Sequence, residues 1–183
     1  ENYLQGKRRE ITVLFVDINS FTSFADKHSS TEVVDLLNQY FSLITDETFN
    51  YAGTIDKFLG DGAMIFFNAP TKQPEHAKQA VDLAIHLQKQ INMDSNLPLS
   101  VSIGINTGVA VVGNIGSKTR SDYTAIGNVV NTASRIENLA NKDEICVGEG
   151  TYQQIKDNYQ TEIKSTTKLR GKSKLEQVYK IIY

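Results

Sequence analysis

The chain has no tryptophan, one cysteine, three prolines and three histidines in 183 residues. A single cysteine, Cys146, excludes an internal disulfide framework and fits a reducing compartment, so the cytoplasm is the expected location. It lies in "EICVG", where it reads as a small buried hydrophobe. His28, His76 and His86 show no metal-ligand spacing; all three read as surface residues of helices or loops. No apolar run approaches the roughly 20 residues that cross a bilayer, so no membrane segment is expected in this chain. No signal-peptide pattern is visible. The formal net charge is -2, which gives no basic footprint for a nucleic acid polymer.

Forty per cent of the residues are hydrophobic and 22% charged, an ordinary globular balance. The length suits one domain with a sizeable core. Residues 1–9 are expected to be a linker or an expression remnant, and residues 10–183 the domain.

The segment "EITVLFVD" (10–17) is short, apolar and β-branched, and reads as a buried strand. The pair Ser29 and Glu32 has capping-box spacing, and Val33, Leu37, Phe41 and Ile44 recur at helical intervals over 31–51. In "GTIDKFLGDGAMIFFN", Gly60-Asp61-Gly62 separates two strand-like runs, a strong hairpin signal. Pro70 and Pro74 mark a loop, and an alanine-rich periodic run from Ala77 to Ile91 is a second helix. A long or bent strand covers 99–114, followed by a polar loop and the short strand "YTAIG". Residues 128–140 form a third helix; "EICVG" is a strand, "GTYQQIKD" a helix and "LEQVYKIIY" a last strand. The order predicts an α+β fold: a ferredoxin-like (palm-like) βαββαβ core with a C-terminal αβ extension.

Asp17 ends the first strand and Asp61 tips the hairpin. If the two are neighbours in one sheet, their carboxylates converge. Hard oxygen donors without His or Cys suit Mg²⁺ or Mn²⁺, held together with substrate phosphates. Each aspartate alone is equally well a strand-end or turn residue. The stretch "INSFT" (18–22) connects a strand to a helix N-terminus, where backbone N–H groups can receive phosphate. The stretch "GNIGSKT" lacks P-loop spacing. Asn131 and Arg135 share one face of the third helix, opposite Val129, Ala133 and Ile136. That face is either solvated or turned to an anion that Arg135 grips. Lys57 in its strand and Arg170, Lys172 and Lys174 in "LRGKSK" carry simple surface readings as well.

Four stretches in order, "VLFVDINSFT", "GTIDKFLGDGAMIFFNAP", "DYTAIGNVVNTASRIE" and "LRGKSK", resemble the catalytic domain of class III nucleotidyl cyclases over residues 10–183. The resemblance implies conversion of a nucleoside triphosphate to its 3′,5′-cyclic monophosphate and pyrophosphate. It implies two Mg²⁺ or Mn²⁺ ions per site, held by Asp17, Asp61 and the backbone carbonyl of Ile18. The backbone of Asn19, Ser20, Phe21 and Thr22 would cradle phosphates. Asn131 and Arg135 match the family's transition-state residues, and Arg170 or Lys172 its triphosphate-binding lysine. Lys57 and Thr124 match the base-selecting pair, which favours ATP over GTP. That pair resembles the subclass commonly stimulated by bicarbonate or CO₂. In this family the metal aspartates come from one subunit and the base, transition-state and triphosphate residues from the other, so a head-to-tail homodimer with two sites is implied. One departure stands out: Glu144 occupies the place of a phosphate-contacting arginine in the mammalian first-half domain. A guanylyl cyclase is the nearest rival, and a catalytically inactive nucleotide-sensing dimerisation module is the other. A diguanylate cyclase would need a GGEEF-type hairpin, which "LGDGAM" lacks.

Overall fold

The computed structural model describes residues 6–117, 119–167 and 176–183. The chain runs β1 (Lys7–Ile18), α1 (Phe21–Ala25), α2 (Ser30–Asn50), β2 (Thr54–Leu59), β3 (Gly62–Phe67), α3 (His76–Met93), β4 (Val101–Gly116), β5 (Ser121–Ile126), α4 (Asn128–Glu137), β6 (Ile145–Gly148), α5 (Glu149–Ile155), β7 (Gln160–Thr167) and β8 (Glu176–Ile182). The expected βαββαβ core is β1-α2-β2-β3-α3-β4. One sheet has the order β2-β3-β1-β4-β6-β8-β7, with β5 paired to β4. The central strand β1 is antiparallel to both β3 and β4. The pairing of β4 with β6 is parallel.

Strand alternation sorts the core into two layers. Even-numbered Leu14, Val16 and Ile18 of β1 pack with Leu36, Tyr40 and Ile44 of α2 and the Ala77–Ile91 row of α3. Odd-numbered Ile11 and Val13 pack on the opposite side with Val129 and Ala133 of α4. Thus α2 and α3 share one face, and α4 covers the other. Each fully buried aliphatic side chain contributes about 1.5–3 kcal/mol. The α2 start is the expected capping box: Ser29 accepts from the Glu32 N–H while Glu32 accepts from the Ser29 N–H.

Four local expectations need correction. His76 is buried, not on the surface: its ring shares a hydrogen bond with Thr12 Oγ1 at 2.7 Å, within a chain that reaches Thr107 and Thr151. The polar loop expected in "GNIGSKTRSD" is shorter than read, because β4 continues to Gly116 and β5 starts at Ser121. The edge strand β7 was not expected, since "QTEIKSTT" has a single large aliphatic side chain. An edge strand with two wetted sides carries no apolar alternation to read. Also, β1 begins at Lys7 and not at Glu10.

Candidate active site

Three parts of the chain meet at the end of β1. In register, Asp17 lies between Gly62 of β3 and Ser102 of β4. The hairpin glycines have different tasks. Gly60 has φ 66°, a left-handed conformation that favours glycine. A Cβ on Gly62 would lie 2.6 Å from Asp17 Oδ1, so its missing side chain makes room for that carboxylate. Asp61 sits between them, partly buried.

A third carboxylate joins them. Glu137, at the end of α4, accepts from Ser102 Oγ at 2.7 Å. Burial, then the charges of Asp61 and Glu137, push the Asp17 carboxyl up to about 6. Burial also raises Glu137, against the opposing Ser102 hydrogen bond. Among the described residues, none of the three carboxylates has an ion-pair partner. The Tyr40 hydroxyl is buried without a hydrogen-bond partner among the described residues, and burial, then the same three charges, raise its pKa. This is concentrated negative charge lacking a cation. The donors are hard oxygens, so the residues fit Mg²⁺ or Mn²⁺. Among the described residues no three His, Cys, Asp or Glu side chains are placed to hold an ion by themselves, so such an ion would need oxygens from elsewhere, such as substrate phosphates. The Ile18 side chain is buried in the core, so only its backbone is available to a ligand.

The loop after Asp17 is partly committed. The Asn19 N–H donates to Ser100 O at 2.8 Å, and Asn19 Nδ2 donates to Ser102 Oγ at 3.2 Å. Ser20 is left-handed (φ 59°) and opens α1 without a side-chain cap. Phe21 packs on the main core, while Ser20 and Thr22 remain exposed. In this loop the Asn19 N–H is therefore committed within the fold, and the N–H groups that follow it are the ones to consider for a ligand.

The buried row of α4 is Val129, Thr132, Ala133 and Ile136. Its other face carries Asn131, exposed, and Arg135, partly buried. The Arg135 Nη1 is buried without a hydrogen-bond partner among the described residues. Unsatisfied buried donors are rare and call for a ligand or partner. No ion pair joins Arg135 to Asp17 or Asp61 among the described residues. Lys57 is half exposed on β2 and Thr124 partly buried on β5, and these two strands touch. So one chain brings Asp17 and Asp61 together on the sheet, and Lys57 near the strand of Thr124, while Asn131 and Arg135 stand on the outer side of α4.

Residues 4–182 match the adenylate and guanylate cyclase catalytic domain. The chain belongs to this family. It is 35% identical over 185 residues to Adenylate cyclase 1 of Rhizobium meliloti (strain 1021), an alignment covering 96% of this chain and 28% of that relative. Two mycobacterial relatives are covered to 25% of their length, so the chain spans about a quarter of these curated relatives. Among solved structures, the adenylyl cyclase CyaB from P. aeruginosa is 36% identical with a TM-score of 0.91, over 98% of this chain and 97% of that one. The guanylyl cyclase Cya2 is 34% identical with the same TM-score of 0.91, over 97% of this chain and 94% of that one. Backbone likeness therefore does not separate the two base specificities.

Within this cyclase domain, Arg170 and Lys172 lie outside the described residues. Glu144 is engaged by donors of its own chain. It accepts from Lys164 Nζ at 2.6 Å and from the Asn141 N–H at 2.8 Å, with Lys180 Nζ at 3.2 Å. Burial works to raise its carboxyl, yet these donors hold it down to about 2. Its work is to tie β7 and β8 to the loop before β6. Glu137 is the member of the carboxylate cluster that sequence reasoning missed. The available signal was weak: a carboxylate four residues after Ala133, on the apolar row of the helix.

Proposed function

We propose that this domain converts ATP to 3′,5′-cyclic AMP and pyrophosphate, at two sites shared by a head-to-tail homodimer. The observation that carries the base choice is Lys57, a cation, on a strand that touches the strand of Thr124. Adenine offers a ring nitrogen acceptor to an ammonium and an amino donor to a hydroxyl oxygen. Guanine needs an acidic acceptor in place of the lysine. Two charge sets support the shared site. Among the described residues, the carboxylates of Asp17 and Asp61 have no ion-pair partner, and the buried Arg135 Nη1 has no hydrogen-bond partner. Exposed apolar Val109, Val111 and Ile126 on the paired strands β4 and β5 suit contact with a second copy.

In this reading Asp17, Asp61 and the Ile18 carbonyl hold Mg²⁺ or Mn²⁺, which when bound neutralises triphosphate charge and favours the ionised ribose 3′-hydroxyl. The N–H groups after Asn19 and the side chain of Arg170 or Lys172 hold the triphosphate. Asn131 orients the reacting groups, and Arg135 stabilises the charge that grows on the α-phosphate during in-line attack. Residues 10–183 act as the catalytic domain, in the cytoplasm. Bicarbonate stimulation belongs to the same proposal.

The test is product analysis. The purified chain is incubated with ATP or GTP and Mg²⁺ or Mn²⁺, with and without bicarbonate, at several protein concentrations and beside Asp61→Ala. Cyclic AMP that rises more than linearly with protein and disappears in Asp61→Ala is expected. The likeness to Cya2 keeps GTP as the second reading. Cyclic GMP as the main product would overturn the base assignment, and no product at high protein with Mn²⁺ would overturn the enzyme.

A further inference from the structure

Strands β2 and β3 pair regularly except at one point: the register shifts between Ile55 and Lys57. Asp56 is the extra residue of this β-bulge. In an unbroken strand, neighbouring side chains point to opposite faces of the sheet. A bulge breaks that alternation and re-aims a side chain. Here it brings Asp56 and Lys57 together, with Lys57 Nζ 3.1 Å from Asp56 Oδ2.

The two partners are unequal. The Asp56 side chain is 0% exposed and that of Lys57 is 50% exposed. Neither carboxylate oxygen of Asp56 accepts a hydrogen bond from any described residue. A buried carboxylate is costly unless paired, and it normally gathers several donors. Asp56 gathers none, so among the described residues its one polar relationship is with the ammonium of the next residue. It is sealed from solvent and cannot touch a substrate itself.

We propose that Asp56 is the positioning residue for base selection: buried at the bulge, its charge anchors the Lys57 ammonium so that the N–H groups of that ammonium point at the purine edge. This rests on the reading of Lys57 as a base-reading residue. Lysine is a flexible four-carbon stem ending in a point charge with three donors. Unanchored on the edge strand of the sheet, it would sample many directions and would discriminate poorly between a ring nitrogen acceptor and a ring N–H. Anchored on one side by a fixed negative charge, it presents the same donors each time. The bulge is what allows adjacent residues to form this pair, so the irregularity in β2 serves the specificity.

The test is Asp56→Asn, which keeps the shape and removes the charge, beside Asp56→Glu and Lys57→Met. Steady-state rates are measured with ATP and with GTP, and thermal unfolding checks the fold. For Asp56→Asn the KM for ATP is expected to rise about tenfold and the ATP-over-GTP preference in kcat/KM to fall about tenfold, with kcat within about threefold of the parent. Asp56→Glu is expected to recover part of the preference. An unchanged preference in a folded Asp56→Asn overturns the proposal, and so does a drop in kcat that is equal for both nucleotides, which marks a merely structural role. Lys57→Met separates the two layers: if it too leaves the preference unchanged, the reading of Lys57 fails with it. If Asp56→Asn does not fold, the parent protein decides. The Lys57 ammonium, assigned by its loss in Lys57→Met, is expected to give a distinct, slowly exchanging ¹H–¹⁵N resonance. A resonance averaged like a free lysine overturns the anchoring.

Discussion

Ser102 Oγ donates to Glu137 Oε1 at 2.7 Å, and the same hydroxyl accepts from Asn19 Nδ2 at 3.2 Å. One serine on β4 thus joins the loop after Asp17 to the end of the helix that carries Arg135. Ser102→Ala cuts both bonds without adding bulk. The expected cost to stability is about 1 kcal/mol. The expected loss of kcat is larger, about tenfold to a hundredfold, because small misplacements of reacting groups are amplified in rate. Thermal unfolding and cyclase kinetics on the same preparation check both numbers. A rate loss no greater than the stability loss explains would remove Ser102 from the site.

Asp17 gives the metal-free protein a definite pH dependence. Its carboxyl is raised from 3.8 to about 6 in the fold. The native state therefore holds this proton more tightly than the unfolded chain does. Stability falls as pH rises from 3.8 to about 6 and stays low above it. In chelator, the Tm of the parent minus that of Asp17→Asn should decline across this window. Mg²⁺ or Mn²⁺ at pH 7 should raise the parent Tm and leave Asp17→Asn nearly unmoved. Below about pH 6 the proton competes with the cation, so metal affinity weakens. A metal effect equal in both proteins would place the ion elsewhere.

The shared-site proposal makes a stoichiometric prediction. Asp17→Ala removes a metal ligand, and Arg135→Ala removes the transition-state cation, so each chain alone is inactive or reduced by about 10²–10³-fold. A mixed dimer assembles one site with both defects and one with neither. Mixing should restore up to half of the parental activity per heterodimer. Differently tagged chains, purified as heterodimers, give the measurement, and silence from them would show that each site is built from a single chain.

Glu144 is predicted to act on stability alone. Its carboxyl is held down to about 2 from 4.5. Its contribution is therefore complete above 4.5 and lost as pH falls toward 2. Glu144→Gln should cost about 1–3 kcal/mol at neutral pH, a range typical of hydrogen bonds to a charged group. The acid side of the stability profile should flatten, while kcat at 25 °C stays at the parental value. A selective rise in KM for ATP would show instead that Glu144 faces the triphosphate.

How much of this was legible beforehand depends on where the information sits. The hairpin at Gly60-Asp61-Gly62 is local, and its turn chemistry announces it. The faces of α4 follow from periodicity, and so do Asn131 and Arg135 on one side. The features that escaped are relations between distant segments. His76 follows Pro74 and Glu75 in a polar stretch, and only the fold brings Thr12 to its ring. Glu137 is one acid among 21 acidic residues until Ser102 arrives beneath it. The bulge at Asp56 is a property of β2 against β3, so no reading of β2 alone contains it. Strand β7 has too few apolar side chains to stand out from a loop.

Gly104 of β4 lies directly under α4: a Cβ there would overlap the main chain of Glu137. Helix and sheet meet at this point through backbone atoms, with no side chain between them. Side chains settle into several rotamers and give under load; peptide planes do not. The elevation of α4 over the sheet is therefore a fixed mechanical stop. Glu137 below and Arg135 two residues back ride on it together, so the cation's standing height above the sheet is set where there is nothing soft to compress.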